Sequence, residues 1–447
     1  MSNVAVRKAL IGKCRGEYEV VHDAPIPDLQ PDQMLCKTKA VALNPADAKT
    51  IDNSPSPGIG GYDFSGTVVQ VGSSVTRFKP GDEVFGFVHG LNADNRDSGA
   101  FTDHVIATAE LCCKMPASMT SNQACTMALA LGTVGYAMFK QLGLAMPGSK
   151  GGERPEYALV AGGNTSSGRM AIQLLRLSGI KPIVTCSVNA NAVMNDLGAF
   201  QTFDYRSSTC GREIKNLTRN TLVHALDCVT SVDTMAMCFE AIGAKGGKYV
   251  ALEAPPTQVK YIRRDITVDW VQALSLFGKP VKLEGVYGRP ASPLDRQFAA
   301  YLYQEAEKWT EQGLIRGPDF QLGKDGLEAK AGVKMLLFAR RRQDLSPAEF
   351  RDYYENHHMP LLRNLSGKVF PCSHERSYVV RDGPDFLAKV VLGEQADFEY
   401  DSMAILTWKD QRHFEATFAL YGNEDVGKAI REDEAKFTEW GKAVIVA

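Results

Sequence analysis

The sequence predicts an α/β protein with a β-rich, barrel-like part, a doubly wound parallel sheet and a ferredoxin-like α+β part. Three observations support this fold class. Short β-type runs broken by Gly and Pro fill the first 150 residues, strands and helices alternate from Tyr157, and a βαββαβ order follows from about Val333. We therefore place the domains at residues 1–152, 153–330 and 331–447.

The first domain contains four short apolar runs at the spacing typical of a small barrel. They are MLCKTKAVAL, FSGTVVQVG, GDEVFGFV and FTDHVIA. The segment SNQACTMALALGTVGYAMFKQLG then predicts one apolar-periodic helix. The stretch AMPGSKGGERPE at 145–156 has Gly, Pro and charge without periodicity, which indicates a boundary.

In the second domain, near-continuous apolar strands alternate with helices, a pattern typical of a parallel sheet covered on both faces. The predicted strands are YALVAGG, PIVTCS, TFDY, VHALDCV and KYVALEA. Between the first two, RMAIQLLRLSG repeats apolar residues at helical spacing.

The third domain combines the strands VKMLLFARR, ERSYVVRD, EYDSMAILTWK and AVIVA with the helices SPAEFRDYYENHHMPLLRNL and DQRHFEATFALYG. Ser346 followed by Pro347 and, three residues on, by Glu349 predicts a helix start with a capping box.

Composition excludes several classes of function. The net charge is −2, so we expect neither a nucleic-acid partner nor an anionic membrane surface. The chain has no apolar run long enough for a membrane span, and its first residues lack the apolar core of a secretory signal. Its ten cysteines form no CxxC pair, which fits a reducing compartment, and we expect a cytoplasmic protein without membrane contact.

A glycine-rich turn, AGGNTSSG, follows the first strand of the second domain and precedes a helix. Such a turn lets the backbone approach a pyrophosphate at the helix N-terminus. The GxGxxG spacing is not kept, so a purely structural strand–helix turn is the alternative.

The residues at the end of the next strand help to decide between NADH and NADPH. An acidic residue there normally holds the ribose 2′-hydroxyl of NAD. Residues 184–189 contain no carboxylate, and the neutral edge formed by Ser187 and Asn189 predicts NADPH over NADH. The alternative is that these two residues only cap the following helix.

Several separated motifs resemble the medium-chain dehydrogenase/reductase superfamily, in its branch of zinc-free, trans-acting enoyl reductases of fungal polyketide biosynthesis (lovastatin-pathway type). The motifs are ALNPADAK, GYDFSGTVVQVG, GDEVFGFVHG, AGGNTSSG, LGAFQTFDY and DWVQALSLFGKPVKL. The resemblance covers about residues 5–325 and implies a GroES-like first domain and a Rossmann second domain.

This resemblance implies roles for individual residues. Asp47 and Lys49 would lie at the mouth of the nicotinamide site, and Leu252 with Glu253 would pass beneath the nicotinamide. The other implied cofactor contacts are Asn164, Thr165, Ser166 and Ser167 at the pyrophosphate, Ser187 and Asn189 at the 2′-phosphate, and Tyr205 at the adenine. The implied acyl pocket comprises Thr133, Val134, Tyr136, Leu276, Phe277 and Gly278.

The implied reaction is hydride delivery from NADPH to the β-carbon of an enoyl thioester or ketone, followed by protonation at the α-carbon. Lys49 and Thr133 are candidates to stabilise the enolate, with a solvated surface lysine as the alternative for Lys49. Zinc-dependent relatives carry metal ligands around the NPAD and GYD positions and a four-Cys lobe, which this sequence lacks, so we predict no metal. The substrate is expected to be a polyketide acyl chain, carried on an acyl carrier protein of a synthase.

The family normally closes its catalytic domain with a further helix and strand. Here DGLEAKAGVKMLLFARRR leads directly into the third domain. Either VKMLLFA serves both domains, or the first has an open sheet edge, a liability that the third domain could cover.

Residues 333–447 resemble EthD-type domains, which are small dimeric α+β barrels, through LLFARRRQDLSPAEFRDYYENHHMPLL and IREDEAKFTEW. The resemblance implies a homodimer and cofactor-free steps such as decarboxylation, dehydration or cyclisation. His358 matches the family's histidine and could act as general acid or base, with Asp433, Tyr354 and His374 as candidate partners. A structural histidine is the alternative.

Three hypotheses follow. In the first, an NADPH-dependent enoyl reductase is fused to an EthD-like domain. In the second, the EthD-like domain is the catalyst through His358, and the reductase part is a scaffold. In the third, the chain is an NADPH-sensing or docking subunit of a synthase, without catalysis, because fold alone does not fix function.

Overall fold

The structure is a computed structural model. The residues it describes are 6–53, 56–256, 262–318, 334–367, 370, 373–378, 381–382, 387–388, 402–407, 415–417, 419 and 423–446. The chain divides into two compact units, Met1–Phe320 and Gln321–Ala447. The three predicted domain ranges stay predictions. Within the described residues, no helix is long and apolar enough to cross a membrane.

The first unit begins with an antiparallel hairpin and a five-stranded antiparallel sheet, which confirms the predicted β-rich part. The hairpin joins β1 (Val6–Cys14) to β2 (Glu17–Pro25). The sheet has the order β6-β3-β4-β5-β7, from β3 (Gln33–Ala42), β4 (Asp63–Val71), β5 (Glu83–Phe87), β6 (His104–Thr108) and β7 (Cys112–Lys114). Its inward side chains, among them Met34, Phe64 and Val84, form a buried core. Helix α1 (Pro45–Asn53) lies between β3 and β4.

The single helix predicted for residues 121–143 is wrong. The chain instead forms α2 (Ser121–Ala124), α3 (Ala128–Gly135) and a π-helical turn, Tyr136–Gln141. The Asp63 carboxylate accepts a hydrogen bond from the Leu129 backbone N–H at 2.7 Å, at the first turn of α3. The carboxylate of a residue in β4 therefore accepts from a backbone N–H that has no partner within α3, so a new helix can begin here. Hydrophobic periodicity cannot reveal such a contact.

A six-stranded parallel sheet with the order β10-β9-β8-β11-β12-β13 follows, which confirms the doubly wound fold. Its strands are β8 (Tyr157–Ala161), β9 (Lys181–Cys186), β10 (Gln201–Asp204), β11 (His224–Asp227), β12 (Gly247–Ala251) and β13 (Ile266–Trp270). Its helices are α4 (Ser166–Leu177), α5 (Asn191–Leu197), α6 (Cys210–Leu217) and α7 (Val232–Ala241). The edge strand β13 was not among the predicted strands, because only alternate residues of it are well shielded from solvent.

Helix α8 (Pro293–Glu311) ties the two sheets of the first unit together. It buries Leu302, Tyr303 and Ala306 in a core that also contains Phe85 of β5 and Val250 of β12. The Tyr303 hydroxyl donates to the Ala128 carbonyl at 2.7 Å. This shared core holds the two sheets together.

The second unit is a four-stranded antiparallel sheet with the order β15-β18-β14-β19, the arrangement expected of a βαββαβ motif. Its strands are β14 (Lys334–Arg341), β15 (Ser373–Tyr378), β18 (Ser402–Thr407) and β19 (Thr438–Val446), and a small ladder joins β16 (Arg381–Asp382) to β17 (Leu387–Ala388). The helices are α9 (Pro347–Tyr353), a π-helical turn Tyr354–His358, α10 (Met359–Ser366) and α11 (Glu424–Glu434).

The capping box predicted at Ser346 is confirmed, since its side chain accepts from the Glu349 N–H while Glu349 reaches back. Strand β14 pairs with β18 on one edge and β19 on the other. Both of its edges are occupied, so it cannot also serve as a strand of the first unit. The helix predicted from DQRHFEATFALYG lies largely outside the described residues.

Candidate functional site

A cavity of about 840 Å³ lies at the carboxyl ends of the central parallel strands. The strand order reverses between β8 and β11, and ligands of doubly wound folds bind beside such a reversal. The lining residues are Gly162, Asn164, Thr165, Thr185, Cys186, Ser187, Tyr205, Arg206, Ser207, Ser208, Gly211, Val229, Ser231, Asp233, Thr234, Ala236, Met237 and Glu240. Four of the predicted cofactor residues, Asn164, Thr165, Ser187 and Tyr205, are therefore brought together.

The glycine-rich turn forms one wall of this cavity. Gly162 has a φ of +78°, and a Cβ on it would come within 2.5 Å of Val229. A Cβ on Gly168 would lie 2.3 Å from the Gly162 carbonyl oxygen, so the first turn of α4 can approach the backbone of the glycine-rich turn only because residue 168 is glycine. Thr165 caps α4 by accepting from the Gly168 N–H at 3.0 Å.

Ser166 and Ser167 lie in the first turn of α4, and Arg169 donates to the Asn164 side chain at 2.7 Å. The turn thus presents a helix N-terminus, where backbone N–H groups and the helix dipole favour an anion.

The end of β9 presents hydroxyl and backbone groups to the cavity. Thr185 accepts from the Gly162 N–H at 3.2 Å, and Ser187 follows one residue after the strand. Ser187 stands at the start of the short helix Val188–Ala190 but makes no side-chain capping bond, so the capping alternative has no hydrogen bond to support it. Asn189 is exposed and is not among the lining residues.

Arg206 is a lining residue that sequence reasoning missed. It follows Tyr205 directly after β10, and its guanidinium lies 4.8 Å from the centre of the Tyr205 ring. The guanidinium is 3.8 Å from the Asp204 carboxylate, so its pairing is loose. A basic residue at this strand end was visible in the sequence, and it is a group that binds phosphate well.

Asp227, at the end of β11, was also missed. One of its oxygens accepts from the Val229 and Thr230 N–H groups, each at 2.9 Å. The other accepts from the hydroxyls of Thr234 at 2.7 Å and Tyr249 at 2.8 Å. This buried carboxylate fixes the loop that forms the opposite wall of the cavity.

Lys49 and Glu253, predicted separately, form an ion pair that joins α1 to the residues after β12. The other Glu253 oxygen accepts from the Tyr287 hydroxyl at 2.5 Å. Burial opposes ionisation of Glu253, but the hydrogen bonds from Lys49 and Tyr287 outweigh it and hold its pKa below the usual value. The Leu252 N–H donates to the Asp227 carbonyl at 3.1 Å, which ties this segment to the second wall of the cavity.

Two buried carboxylates lie near one another at the NPAD and GYD motifs, and Asn44 bridges them. The Asn44 backbone N–H donates to Asp47 at 2.7 Å, and its side-chain amide donates to Asp63 at 3.0 Å. The second oxygen of Asp47 is buried without a partner. Burial raises the pKa of each carboxyl to about 7, against the hydrogen bonds that each accepts. Near neutral pH these groups can hold a proton.

The residues of the predicted acyl pocket divide into two groups. Val134 and Leu276 are fully buried in the shared core, and Thr133 is half-buried in α3. The Tyr136 hydroxyl donates to Asp295 at 3.1 Å.

The second group is Phe277 and Gly278, at the end of the short helix Ala273–Phe277. Phe277 packs between Phe87, with ring centres 4.9 Å apart, and His89 at 5.6 Å, and it lines a cavity of about 40 Å³. Burial lowers the pKa of His89 to about 4, so this imidazole is neutral at pH 7. Gly278 has a φ of +72° and ends the short helix Ala273–Phe277.

The prediction of no metal stays a prediction. Within the described ranges, no three His, Cys, Asp or Glu side chains come together as a candidate metal site.

In the second unit, the predicted partner Asp433 meets His358. The His358 Nδ1 and an Asp433 oxygen lie 2.8 Å apart, and both side chains are buried. Tyr354 contacts the His358 ring with centres 5.5 Å apart, whereas Tyr353, which was not predicted, donates to Asp433. The side chain of His374 lies outside the described residues.

Comparisons with known proteins agree with both units. Residues 30–117 match the alcohol dehydrogenase GroES-like domain, and residues 342–440 match the EthD domain. A trans-enoyl reductase of Gibberella fujikuroi is 47% identical over 323 residues, which cover 72% of this chain and 93% of that protein. The trans-enoyl reductase grgB of a Penicillium species is 44% identical over 321 residues, covering 72% of this chain and 91% of the relative.

Two solved structures share the fold of the first unit. The CurK enoyl reductase is 17% identical with a TM-score of 0.55, covering 71% of this chain and 92% of that one. An alcohol dehydrogenase superfamily protein from Novosphingobium aromaticivorans is 21% identical with a TM-score of 0.56, covering 70% and 88%. From the sequence identities and the domain matches, the chain belongs to the trans-enoyl reductase family of oxidoreductases and carries an EthD domain after its reductase part.

Proposed function

We propose that this protein is an NADPH-dependent enoyl reductase of fungal polyketide metabolism, which reduces the α,β-unsaturated thioester or ketone of a polyketide chain. Family membership implies a nicotinamide cofactor and supports enoyl reduction. The observation that carries the proposal is the 840 Å³ cavity, which gathers the glycine-rich turn with Ser187, Tyr205 and Arg206 at the strand reversal.

The described residues fit a dinucleotide. A Cβ on Gly162 would lie 2.5 Å from Val229, and both residues line the cavity, so glycine at this position lets the backbone come close to a ligand. Asn164 and Thr165 would hold the pyrophosphate at the N-terminus of α4. When bound, the cofactor would supply the hydride that the enoyl β-carbon accepts.

Two features favour NADPH over NADH. NAD enzymes carry a carboxylate after this strand, and here Ser187 stands at that position. Its hydroxyl makes no capping hydrogen bond to the following helix, so it can bind a 2′-phosphate. Arg206 lines the same cavity, and its guanidinium has only a 3.8 Å contact to Asp204. A guanidinium pairs well with a 2′-phosphate and gains nothing from a 2′-hydroxyl of NADH.

Lys49 is the group we propose for enolate stabilisation. Its ammonium would approach the substrate carbonyl oxygen as negative charge develops there. Glu253 orients it, and Tyr287 in turn holds Glu253, so the ammonium on α1 is positioned by residues that follow β12 and lie in the short helix Gly285–Tyr287. Thr133, half-buried in α3, is the second candidate.

The decisive experiment compares NADPH with NADH in the full chain, with crotonyl-N-acetylcysteamine as substrate. We expect kcat/KM to favour NADPH at least tenfold. Arg206→Gln should lower the NADPH value at least tenfold and leave the NADH value unchanged. Arg176→Gln, which removes an arginine in the last turn of α4 that does not line the cavity, is the control and should change neither. Equal efficiency with the two cofactors would refute the NADPH assignment.

The partners are part of this proposal. We propose that the acyl chain arrives on an acyl carrier protein and that the EthD domain forms a homodimer. Light scattering after size-exclusion chromatography tests the dimer, with a mass of 48.8 kDa refuting it. Reduction of a carrier-bound enoyl chain at a lower KM than the free thioester would support delivery by the carrier.

A further inference from the structure

One side of α7 presents apolar side chains to a further cavity, of about 520 Å³, that enoyl reduction does not use. Four of its lining residues stand at positions i, i+3, i+4 and i+7 of the helix and therefore share one face. These residues, which we call the α7 stripe, are Val232, Met235, Ala236 and Phe239. The volume is within the range of about 300–1,000 Å³ that is typical of small-molecule sites.

The cavity has a buried floor and an exposed apolar rim. Met235 and Phe239 are 2% and 3% exposed and belong to the core of the parallel sheet. Val232 and Ile262, which also line the cavity, are 63% and 69% exposed. Large apolar side chains that stay exposed beside a buried floor form a surface that gains free energy when an apolar chain covers it.

Three charged side chains complete the lining, and two of them are already paired. Arg263 pairs with Asp265 and donates to three backbone carbonyls at the C-terminal end of α7. Glu240 pairs with Arg212 at 3.6 Å. In the part of the chain that the structure describes, Lys215 on α6 has no carboxylate within ion-pair distance. The lining therefore combines an apolar surface with one cation that is available to an anion.

We propose that this cavity binds an aliphatic carboxylic acid, with its chain on the α7 stripe and its carboxylate on Lys215. A single ammonium balances one negative charge, and Glu240 in the same lining repels a dianion such as a phosphate. The stripe from Val232 to Phe239 rises about 10 Å along the helix, which suits an extended chain better than a compact ring. Hydrolysis of an acyl thioester yields an acid of this class.

The position of the site connects it to the larger cavity of the first unit. Ala236 and Glu240 line both cavities, so α7 forms part of both walls. A carboxylate bound at Lys215 adds negative charge beside this shared wall, and NADPH carries several negative charges, so the acid should weaken NADPH binding. By linkage, NADPH weakens the binding of the acid by the same factor. This coupling rests on the proposed function, whereas the site itself does not.

The test titrates the full chain with octanoate and follows the Met235 methyl group by ¹³C-methyl NMR, with Met235→Leu to assign its signal. We expect a saturable shift of this signal, because Met235 lies in the floor of the cavity. Octan-1-ol has the same chain without the charge and should bind at least threefold more weakly. Val232→Asp, at an exposed position that tolerates a polar side chain, should weaken octanoate binding at least tenfold.

The charge on Lys215 has a matched control. Lys215→Gln should weaken octanoate binding at least threefold, because the carboxylate loses its partner. Lys150→Gln removes an exposed lysine that does not line the cavity, and it should bind octanoate as the wild type does.

Three results would overturn the proposal: an unchanged Met235 signal, octan-1-ol binding as tight as that of octanoate, or wild-type affinity in Lys215→Gln. A lower molecular mass of Val232→Asp in light scattering would show that a second copy of the chain covers this face, and it would overturn the proposal as well.

Calorimetry with NADPH distinguishes this proposal from the proposed function. Saturating octanoate should raise the NADPH Kd at least twofold in the wild type and leave it unchanged in Lys215→Gln. An unchanged Kd in the wild type would refute the coupling. A protein that binds octanoate at Met235 but binds no NADPH would refute the proposed cofactor and leave the carboxylic-acid site supported.

Discussion

The buried carboxyl of Asp63 should make the stability of the first unit fall as the pH rises towards 7. Burial raises its pKa from 3.8 to about 7 in the folded chain, although Leu129 and Asn44 donate to it. Between these values the unfolded chain has released the proton and the folded chain keeps it. Folding then takes up a proton, so each increase in pH opposes folding.

The size of the effect follows from the two pKa values. For one carboxyl, the free energy of unfolding falls by up to about 1.4 kcal/mol per pH unit, and the slope becomes smaller as the pH nears 7. The free energy of unfolding therefore falls by about 2 kcal/mol between pH 5 and pH 7. Asp47, whose pKa is also raised to about 7 by burial, adds a loss of the same sign. Above the folded pKa the two states bind equal numbers of protons, and the dependence on these groups ends.

Asp63→Asn isolates the contribution of Asp63. Its amide oxygen can still accept from the Leu129 N–H, and the Asn44 amide must rotate to present its oxygen to the new NH₂ group. Urea unfolding followed by circular dichroism at pH 5, 6, 7 and 8 should show about 2 kcal/mol less pH dependence than in the wild type. Asp28→Asn, at an exposed site, should keep the wild-type slope. An unchanged slope in Asp63→Asn would refute the reasoning.

Three further substitutions test the cavity and its rim. Gly168→Ala places a Cβ 2.3 Å from the Gly162 carbonyl oxygen, so NADPH binding measured by calorimetry should weaken at least tenfold, whereas Gly151→Ala, in open space, should bind normally. Asp227→Asn replaces one of the two acceptor oxygens by a donor, so the free energy of unfolding in urea should fall by about 2 kcal/mol. A fall of less than about 0.5 kcal/mol would contradict the role given to its four hydrogen bonds. Lys49→Ala should lower kcat more than tenfold, which corresponds to about 1.4 kcal/mol, yet change stability by less than about 1 kcal/mol, because Lys49 is exposed. A smaller effect on kcat would remove Lys49 from the mechanism.

The local features of the fold could be predicted from the sequence. The five apolar runs of the second domain become strands of the parallel sheet, because a strand buried on both faces has a near-continuous apolar sequence. The cap at Ser346 was equally accessible, since all of its hydrogen bonds span three residues. The break in the helix predicted for residues 121–143 was not, because it depends on a carboxylate 66 residues away in sequence.

The candidate site shows the same limit. The glycine-rich turn and Ser187 can be recognised because each belongs to a short run of consecutive residues that directly follows a predicted strand. Asp227 and Tyr287 bond to partners that lie 22 and 34 residues away in sequence, and Arg206 joins the site because the strand ends meet around one cavity. Periodicity marks none of the three. The pairing of His358 with Asp433 could be suspected from residue types, but only the packing of α11 against the π-helical turn brings the two within 2.8 Å.

The two buried carboxyls at the NPAD and GYD motifs, Asp47 and Asp63, should keep a proton at pH values where an exposed carboxyl has lost it. Here Asn44 supplies only neutral donors to Asp47 and Asp63, and one Asp47 oxygen has no partner. Two ionised carboxylates in such a site would repel each other and lose hydration, so binding a proton is the least costly way to reduce the charge. The pH dependence of unfolding is therefore the measurable consequence of burying these two carboxyls, and it should be retained in any variant that keeps both of them buried.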